Sequence, residues 1–182
     1  MLKTTKFLTS LVFMTLTLLN QVQSGWNWGW CPDMATKSSF DLNQYLGVWY
    51  EQKRDKLILY EYGECVLAGY SQGQDGLVNV HNSLLNGFSN TVDSVKGTAE
   101  CNGSKCKVGF FLFTNGDYQV IDTDYTNYSV VYSCKTYFFF FRFETVTPLT
   151  RDALPSDSVI STYEQVIRDK IPYYGFDNFH NT

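Results

Sequence analysis

Histidine is nearly missing: the 182-residue chain has two. His81 falls between Val80 and Asn82 in an alternating stretch, so it points away from the face they share, and His180 lies in the tail. No Ser-His-Asp set, no cluster with metal-ligand spacing and no glycine-rich phosphate loop occurs, so the common machinery of nucleophilic, metal-assisted and phosphoryl chemistry is lacking. No metal or other cofactor is expected. Positive charge is also scarce, with 14 Lys+Arg against 18 Asp+Glu. Only one long apolar run occurs, at the start, so no other segment suits a membrane span.

That first run reads as a secretory leader. Lys3 and Lys6 precede an apolar stretch from Leu8 to Leu19 that is too short to span a bilayer, and Val22-Gln23-Ser24 supplies small or aliphatic residues at the cleavage positions. Residues 1–24 are therefore the expected signal peptide, cut after Ser24, and the protein is expected to be extracellular. Loss of Lys3 and Lys6 takes Lys+Arg from 14 to 12 against 18 acids, a net charge near −6. That balance argues against nucleic acid and against an anionic membrane surface. The remaining 158 of the 182 residues are the size of one domain. They divide into an N-terminal arm, 25–39, and a folded domain, 40–182.

What the chain does have is aromatic side chains, 17% of residues, and five cysteines. So many rings need a core or a cavity wall. In a secreted protein cysteines usually pair, and an odd number leaves at least one thiol free or shared with a partner. Asn102-Gly103-Ser104 and Asn127-Tyr128-Ser129 match the N-glycosylation pattern.

Short strands recur at about ten-residue spacing, with turn chemistry between them and no helix interrupting: 48–54, 65–71, 77–84, 91–100, 105–113, 118–123, 128–135 and 137–146. Asn115-Gly116 is the turn expected between the fifth and sixth. The pattern favours an all-β antiparallel sandwich or barrel. Alternation puts Val78, Val80, Asn82 and Leu84 on one face of the third strand, and Val108, Phe110 and Leu112 on one face of the fifth. In the eighth, Tyr137, Phe139, Phe141 and Phe143 share the inner face, with Arg142 and Glu144 on the other. An amide at Asn82 in an apolar row needs a partner in the backbone, a water or a ligand. The period then changes: 156–170 predicts one amphipathic helix with a stripe of Val159, Ile160, Tyr163, Val166 and Ile167. Pro172 stops it, and the aromatic tail is expected to pack back as a short strand.

The stretch Phe40-Asp41-Leu42-Asn43-Gln44-Tyr45-Leu46-Gly47-Val48-Trp49-Tyr50-Glu51 is a capped helical turn, a glycine and a strand that opens Gly-x-Trp. It resembles the first signature of the lipocalins, particularly the apolipoprotein D-like group. Thr123-Asp124-Tyr125, leading into Tyr132-Ser133-Cys134, is similar to the second signature, and Leu149-Thr150-Arg151 to the third. The resemblance covers about 31–170. It implies an eight-stranded antiparallel up-and-down barrel with one closed end, one open mouth and a C-terminal α-helix packed outside. It also implies structural roles at the barrel floor for Gly47, Trp49, Thr123, Asp124, Tyr125 and Arg151, with the Arg151 guanidinium over the Trp49 indole. By resemblance Cys31 pairs with Cys134. Cys101 and Cys106 flank a tight Asn-Gly-Ser-Lys connection and can face each other across two strands. Cys65 matches a family cysteine whose C-terminal partner has no counterpart here, which leaves a free thiol or a Cys65-linked dimer.

The function implied is binding and carriage, or sequestration, of a small hydrophobic molecule such as a lipid, sterol, retinoid or fatty acid, with a link to lipid handling under oxidative stress. Wall positions carry over at Tyr70, Asn82, Phe110 and Tyr118, and alternation adds Val80, Leu112, Phe139, Phe141 and Phe143. No charged residue is placed to hold a carboxylate, which favours neutral ligands. A filled barrel is the competing expectation. Catalysis is not expected: Cys65 has neither His nor Lys obviously beside it to lower its pKa. The alternative function is extracellular interaction or membrane docking through Trp26, Trp28 and Trp30, which are expected to form an irregular arm. Those rings either stand exposed as an apolar patch or, the favoured expectation, pack over the barrel or its mouth.

Overall fold

The structure, a computed structural model, describes residues 25–56, 63–110, 113–137 and 140–182. The expected leader at 1–24 lies outside them. Eight antiparallel strands close into a ring: β2 (Gly47–Glu51), β4 (Gly63–Gln72), β5 (Val78–Asn86), β6 (Val92–Asn102), β7 (Lys105–Phe110), β8 (Phe113–Thr123), β9 (Tyr128–Tyr137) and β10 (Phe141–Thr150). Each pairs with the next, and β10 pairs with both β9 and β2. The helical turn α1 (Leu42–Tyr45) leads into β2, and α2 (Asp157–Lys170) lies outside the barrel. Closure removes most of the sheet edge that would otherwise invite pairing with other chains, the upper half of β10 excepted.

Two strand expectations are corrected. The eighth strand starts at Phe141, because Tyr137 ends β9 and pairs with Phe141 across the hairpin tip. Five consecutive aromatics carry no turn residue, so periodicity alone could not place that reversal. The parity of Phe141 and Phe143 survives, since Arg142 and Glu144 still occupy the opposite face. Asn115 and Gly116 lie within β8, where Gly116 pairs with Val108 and Phe113 with Phe110. The reversal therefore falls between Phe110 and Phe113.

A third correction concerns the arm, which is partly a strand. Residues β1 (Gly25–Trp28) pair antiparallel with β10, Gly25 opposite Glu144 and Trp28 opposite Phe141. The cause is an open edge: β2 pairs with β10 only at Leu149 and Thr150, leaving the upper half of β10 with free backbone groups that β1 satisfies. Above Glu51 the first strand bends away as β3 (Lys53–Asp55), which pairs with the tail strand β11 (Phe179–Asn181). The expected packing-back of the tail is thus observed.

The helix stripe packs as expected on the outer face of β9 and β10. Tyr163 and Ile167 are buried against Val130, Tyr132 and Val146, with Ile160 and Val166 beside them. The carboxylates in this layer have hydroxyl partners: Tyr132 donates to Glu144 at 2.5 Å and Tyr174 to Asp55 at 2.5 Å. Buried acids require such partners.

Asp122 fastens three segments. It accepts from Lys37 of the arm at 3.1 Å and from Lys170 at the end of α2 at 3.0 Å. Burial pushes its carboxyl up, but hydrogen bonds from Lys170 and Lys37 outweigh this and hold it below the ordinary value. A depressed folded-state pKa contributes stability that is present above the unfolded value, about 3.9, and lost as pH falls through the folded value. Both pairs are solvent-screened, so the contribution is about 1 kcal/mol or less. Asp122→Asn should lower the melting temperature by about 2–4 °C at neutral pH. The difference should shrink as pH falls through the lowered folded-state pKa of Asp122; a difference that stays constant across that titration in melts would refute this account.

Candidate functional site: a closed floor and an apolar interior

The floor is built from the three sequence signatures. Asp41 Oδ1 accepts from the backbone N–H of Asn43 at 2.9 Å and of Gln44 at 3.3 Å, capping α1. Gly47 adopts φ +104°, and a Cβ there would sit 3.0 Å from Arg151 Nη1. Glycine is thus required both by backbone conformation and by space. Trp49 is fully buried, its indole N–H donating to Tyr45 O at 2.9 Å. The Arg151 guanidinium lies 3.8 Å from the Trp49 ring centroid. It donates to the carbonyls of Tyr125, Val48, Gln44, Tyr45 and Leu46 at 2.9 to 3.2 Å. Thr123 and Asp124 shape the turn: Asp124 Oδ1 accepts from the N–H groups of Thr126, Asn127 and Tyr128. That turn brings the Tyr125 hydroxyl to accept from Asp41 N at 3.0 Å, which joins the second signature to the first.

Above the floor lies a cavity of about 20 Å³ walled by Val78, Val80, Ala99, Val108, Val120 and the Cys101–Cys106 disulfide. Its polar atoms are phenols. Tyr45 OH bonds Tyr118 OH at 2.8 Å and Ser129 Oγ at 2.9 Å, and Tyr70 OH donates to Tyr118 OH at 3.0 Å. Burial pushes the Tyr45 hydroxyl up to about 12 and holds those of Tyr70 and Tyr118 well above the ordinary value. All three are neutral hydrogen-bonding groups at physiological pH. A space of this size holds about one water molecule. A larger guest must displace side chains, and the lining phenols are the ones with hydrogen bonds to exchange.

The expected wall residues separate into groups. Tyr70, Val80 and Tyr118 line the cavity, and Phe110 packs beside it. Phe110 lies over Gly97, its strand partner, where a Cβ would come within 2.6 Å of the ring. Asn82 follows Val80 on the same face toward the mouth, and its Oδ1 is buried without a hydrogen-bond partner among the described residues. Phe141 and Phe143 stand instead at the mouth, against Trp28 and Trp26. Leu112 and Phe139 lie outside the described residues. Tyr45 and the Cys101–Cys106 bridge were missing from the expected wall. A one-turn helix does not reveal which residue faces inward, and cross-strand sulfurs read as structural rather than lining.

Both expected bridges are present, Cys31–Cys134 and Cys101–Cys106. Cys65 is unbridged and exposed, in a bulged stretch of β4 at the end remote from the floor. The sequon residues Asn102 and Asn127 are both exposed.

A closed eight-stranded barrel whose floor joins Trp49 to Arg151 defines a class, and residues 40–154 match the lipocalin-like domain. The chain belongs to the lipocalin family. Within it the chain falls in the apolipoprotein D-like group: it is 35% identical to apolipoprotein D of Mus musculus over 178 residues, covering 93% of this chain and 90% of that protein. It is also 33% identical to the Lazarillo protein of Schistocerca americana over 111 residues, 57% of this chain and 51% of that one. Among solved structures, insecticyanin of Manduca sexta has the same fold, with a TM-score of 0.76 at 20% identity over 87% of this chain and 88% of that chain. Lobster apocrustacyanin A1 gives 0.74 at 19% over 88% and 92%.

Proposed function

We propose that this protein is a secreted, non-enzymatic carrier of a small, neutral, hydrophobic molecule held in the barrel. The observation that carries the reading is the set of three neutral phenols converging in an otherwise apolar interior above a sealed floor. Apolar walls with a few placed polar groups are what an orienting site for such a ligand needs. Tyr118 gives up a hydrogen bond to Tyr45 or Tyr70 in exchange for one to a ligand hydroxyl, and Asn82 Oδ1 accepts from a second donor higher in the barrel. None of the wall groups described is cationic, so a fatty-acid carboxylate would be desolvated without a counter-charge. Sterols and retinol fit the wall better. Secretion is supported by the two disulfides and by the leader-like N-terminus. The name of the apolipoprotein D relatives favours a lipid cargo, and a role in lipid handling under oxidative stress is proposed solely as what the resemblance to that group implies. Glycans are proposed at Asn102, at the end of β6, and at Asn127, both exposed.

Native mass spectrometry of the secreted protein with retinol, a sterol and a fatty acid tests the reading. One equivalent of retinol or sterol should be retained and the fatty acid lost. Tyr118→Trp, which fills the space and removes the hydroxyl, should weaken binding by about tenfold or more. Uptake of none of the three by the wild type would mean a filled barrel and overturn the proposal.

A further inference from the structure

The Cys101–Cys106 bridge contributes comparatively little to holding the fold. Its sequence separation is only 5, and so short a loop constrains the unfolded chain weakly. The hairpin around it has other ties. Asn102 pairs with Lys105, Ser104 O accepts from Val120 N at 2.9 Å, and Ser104 Oγ donates to Thr36 Oγ1 at 2.9 Å. Yet both cysteines line the cavity, and Cys106 is buried there.

That cavity has two kinds of wall. Tyr45, Tyr70 and Tyr118 reach it from α1, β4 and β8, with hydroxyls bonded to one another. Between β4 and β8 runs a continuous arc of β5, β6 and β7. It presents Val78, Val80, Ala99, Val108 and the bridge. The backbone of the arc is occupied by ladder pairing: Val78 with Ala99, Ala99 with Val108 and Cys101 with Cys106. Of these lining side chains, only the cysteines could carry a hydrogen-bond donor. Two thiols would bring two S–H groups, whereas the closed bridge brings none.

We infer that the Cys101–Cys106 bridge is a specificity-determining part of the wall: it keeps the arc opposite the phenols free of donors, and so restricts the cargo to molecules with a single hydroxyl at the inserted end. This rests on the carrier reading above, in which Tyr118 takes the ligand hydroxyl. A second hydroxyl, on the carbon next to the first, is turned toward the arc and finds no donor and no strong acceptor there. A ligand that fills the space leaves no room for a water to serve instead. A hydroxyl carried unpaired into an apolar site is costly, so such a molecule is rejected. Valine and alanine alone would not need a cross-link to do this. The cysteines do, because it is closure that removes their hydrogens.

The test compares cholesterol with its vicinal diol analogue, which carries a second hydroxyl on the neighbouring ring carbon, by native mass spectrometry of the full secreted chain. The wild type should hold cholesterol about tenfold more tightly than the diol. Cys101→Ser/Cys106→Ser removes the bridge and puts two hydroxyls on the arc. The preference should then fall to about twofold or less, chiefly through tighter binding of the diol. Cys101→Ala/Cys106→Ala removes the same bridge but adds no donor, so it should melt like the serine pair and keep the preference. Equal binding of the two sterols by the wild type would overturn the inference. So would a serine pair that keeps the preference, or an alanine pair that loses it as fully, since the bridge would then act by shape alone. The wild-type and alanine arms keep the test decisive if the serine pair does not fold. Uptake of retinol but of neither sterol overturns this inference and leaves the carrier reading standing, whereas a wild type that takes up none of the three overturns both.

Discussion

Replacing Cys31 and Cys134 together by alanine should lower the stability of the barrel by about 4 kcal/mol. The bridge closes a loop with a sequence separation of 103 residues, and the chain-entropy relation gives about 4.7 kcal/mol for a loop of that length. Removed bridges in secreted domains usually cost about 2–5 kcal/mol. The same relation gives only about 2 kcal/mol for Cys101–Cys106, whose separation is 5. The long bridge should therefore dominate. For a chain of this size a loss of about 4 kcal/mol lowers the melting temperature by about 8–16 °C. Melts of the two double variants under non-reducing conditions measure the difference. A larger drop for Cys101→Ala/Cys106→Ala would show that the hairpin bridge, and not long-range closure, is the main constraint. Loss of Cys31–Cys134 also removes the covalent tie between the arm and β9.

The second large effect is expected at Arg151. Arg151→Met keeps much of the aliphatic length but removes the group that five backbone carbonyls share and that covers Trp49. Several of those carbonyls are reachable by water once the guanidinium is gone, which moderates the cost. The part-buried ones, of Tyr45, Leu46 and Tyr125, are less easily resolvated, at about 1–3 kcal/mol each. A net loss of about 3 kcal/mol is expected, or about 6–12 °C in melting temperature. Arg151→Lys should recover little of it, since an ammonium has three donors on one atom and no planar face to lay on indole. Full recovery by lysine would show that charge alone suffices. Because Arg151 lies beneath the cavity without lining it, retinol affinity at a temperature where Arg151→Met remains folded should change by less than about twofold.

These expectations rest on features of unequal legibility. The floor was readable because its parts are local strings: Asp41 capping a turn, Gly47 breaking it, Trp49 opening a strand, and Thr123-Asp124-Tyr125 folding onto itself. Short-range hydrogen bonds fix such geometry, and their resemblance to family signatures supplied the long-range partner, Arg151. The helix was legible from its apolar stripe, and Tyr163 and Ile167 are buried where that stripe put them. The β9–β10 reversal was not legible, because Tyr137 through Phe141 alternate equally well as one strand or two. The interior was half legible. Alternation gave the inward parity of Val80 and Phe143 alike, but parity does not tell height, and height separates a cavity wall from a mouth.

By itself, then, the sequence determined which residues pair locally, which faces are apolar and which family the chain resembles, because each depends on spacing along the chain. Tertiary structure decided the rest. It made a strand of the tryptophan arm, because the bend after Glu51 leaves the upper edge of β10 open and a free row of backbone donors and acceptors must be paired. It gathered Tyr45, Tyr70 and Tyr118 from α1, β4 and β8 into one network, because closing the ring brings distant strands to within hydrogen-bond reach. Neither arrangement is written in any single stretch of the chain.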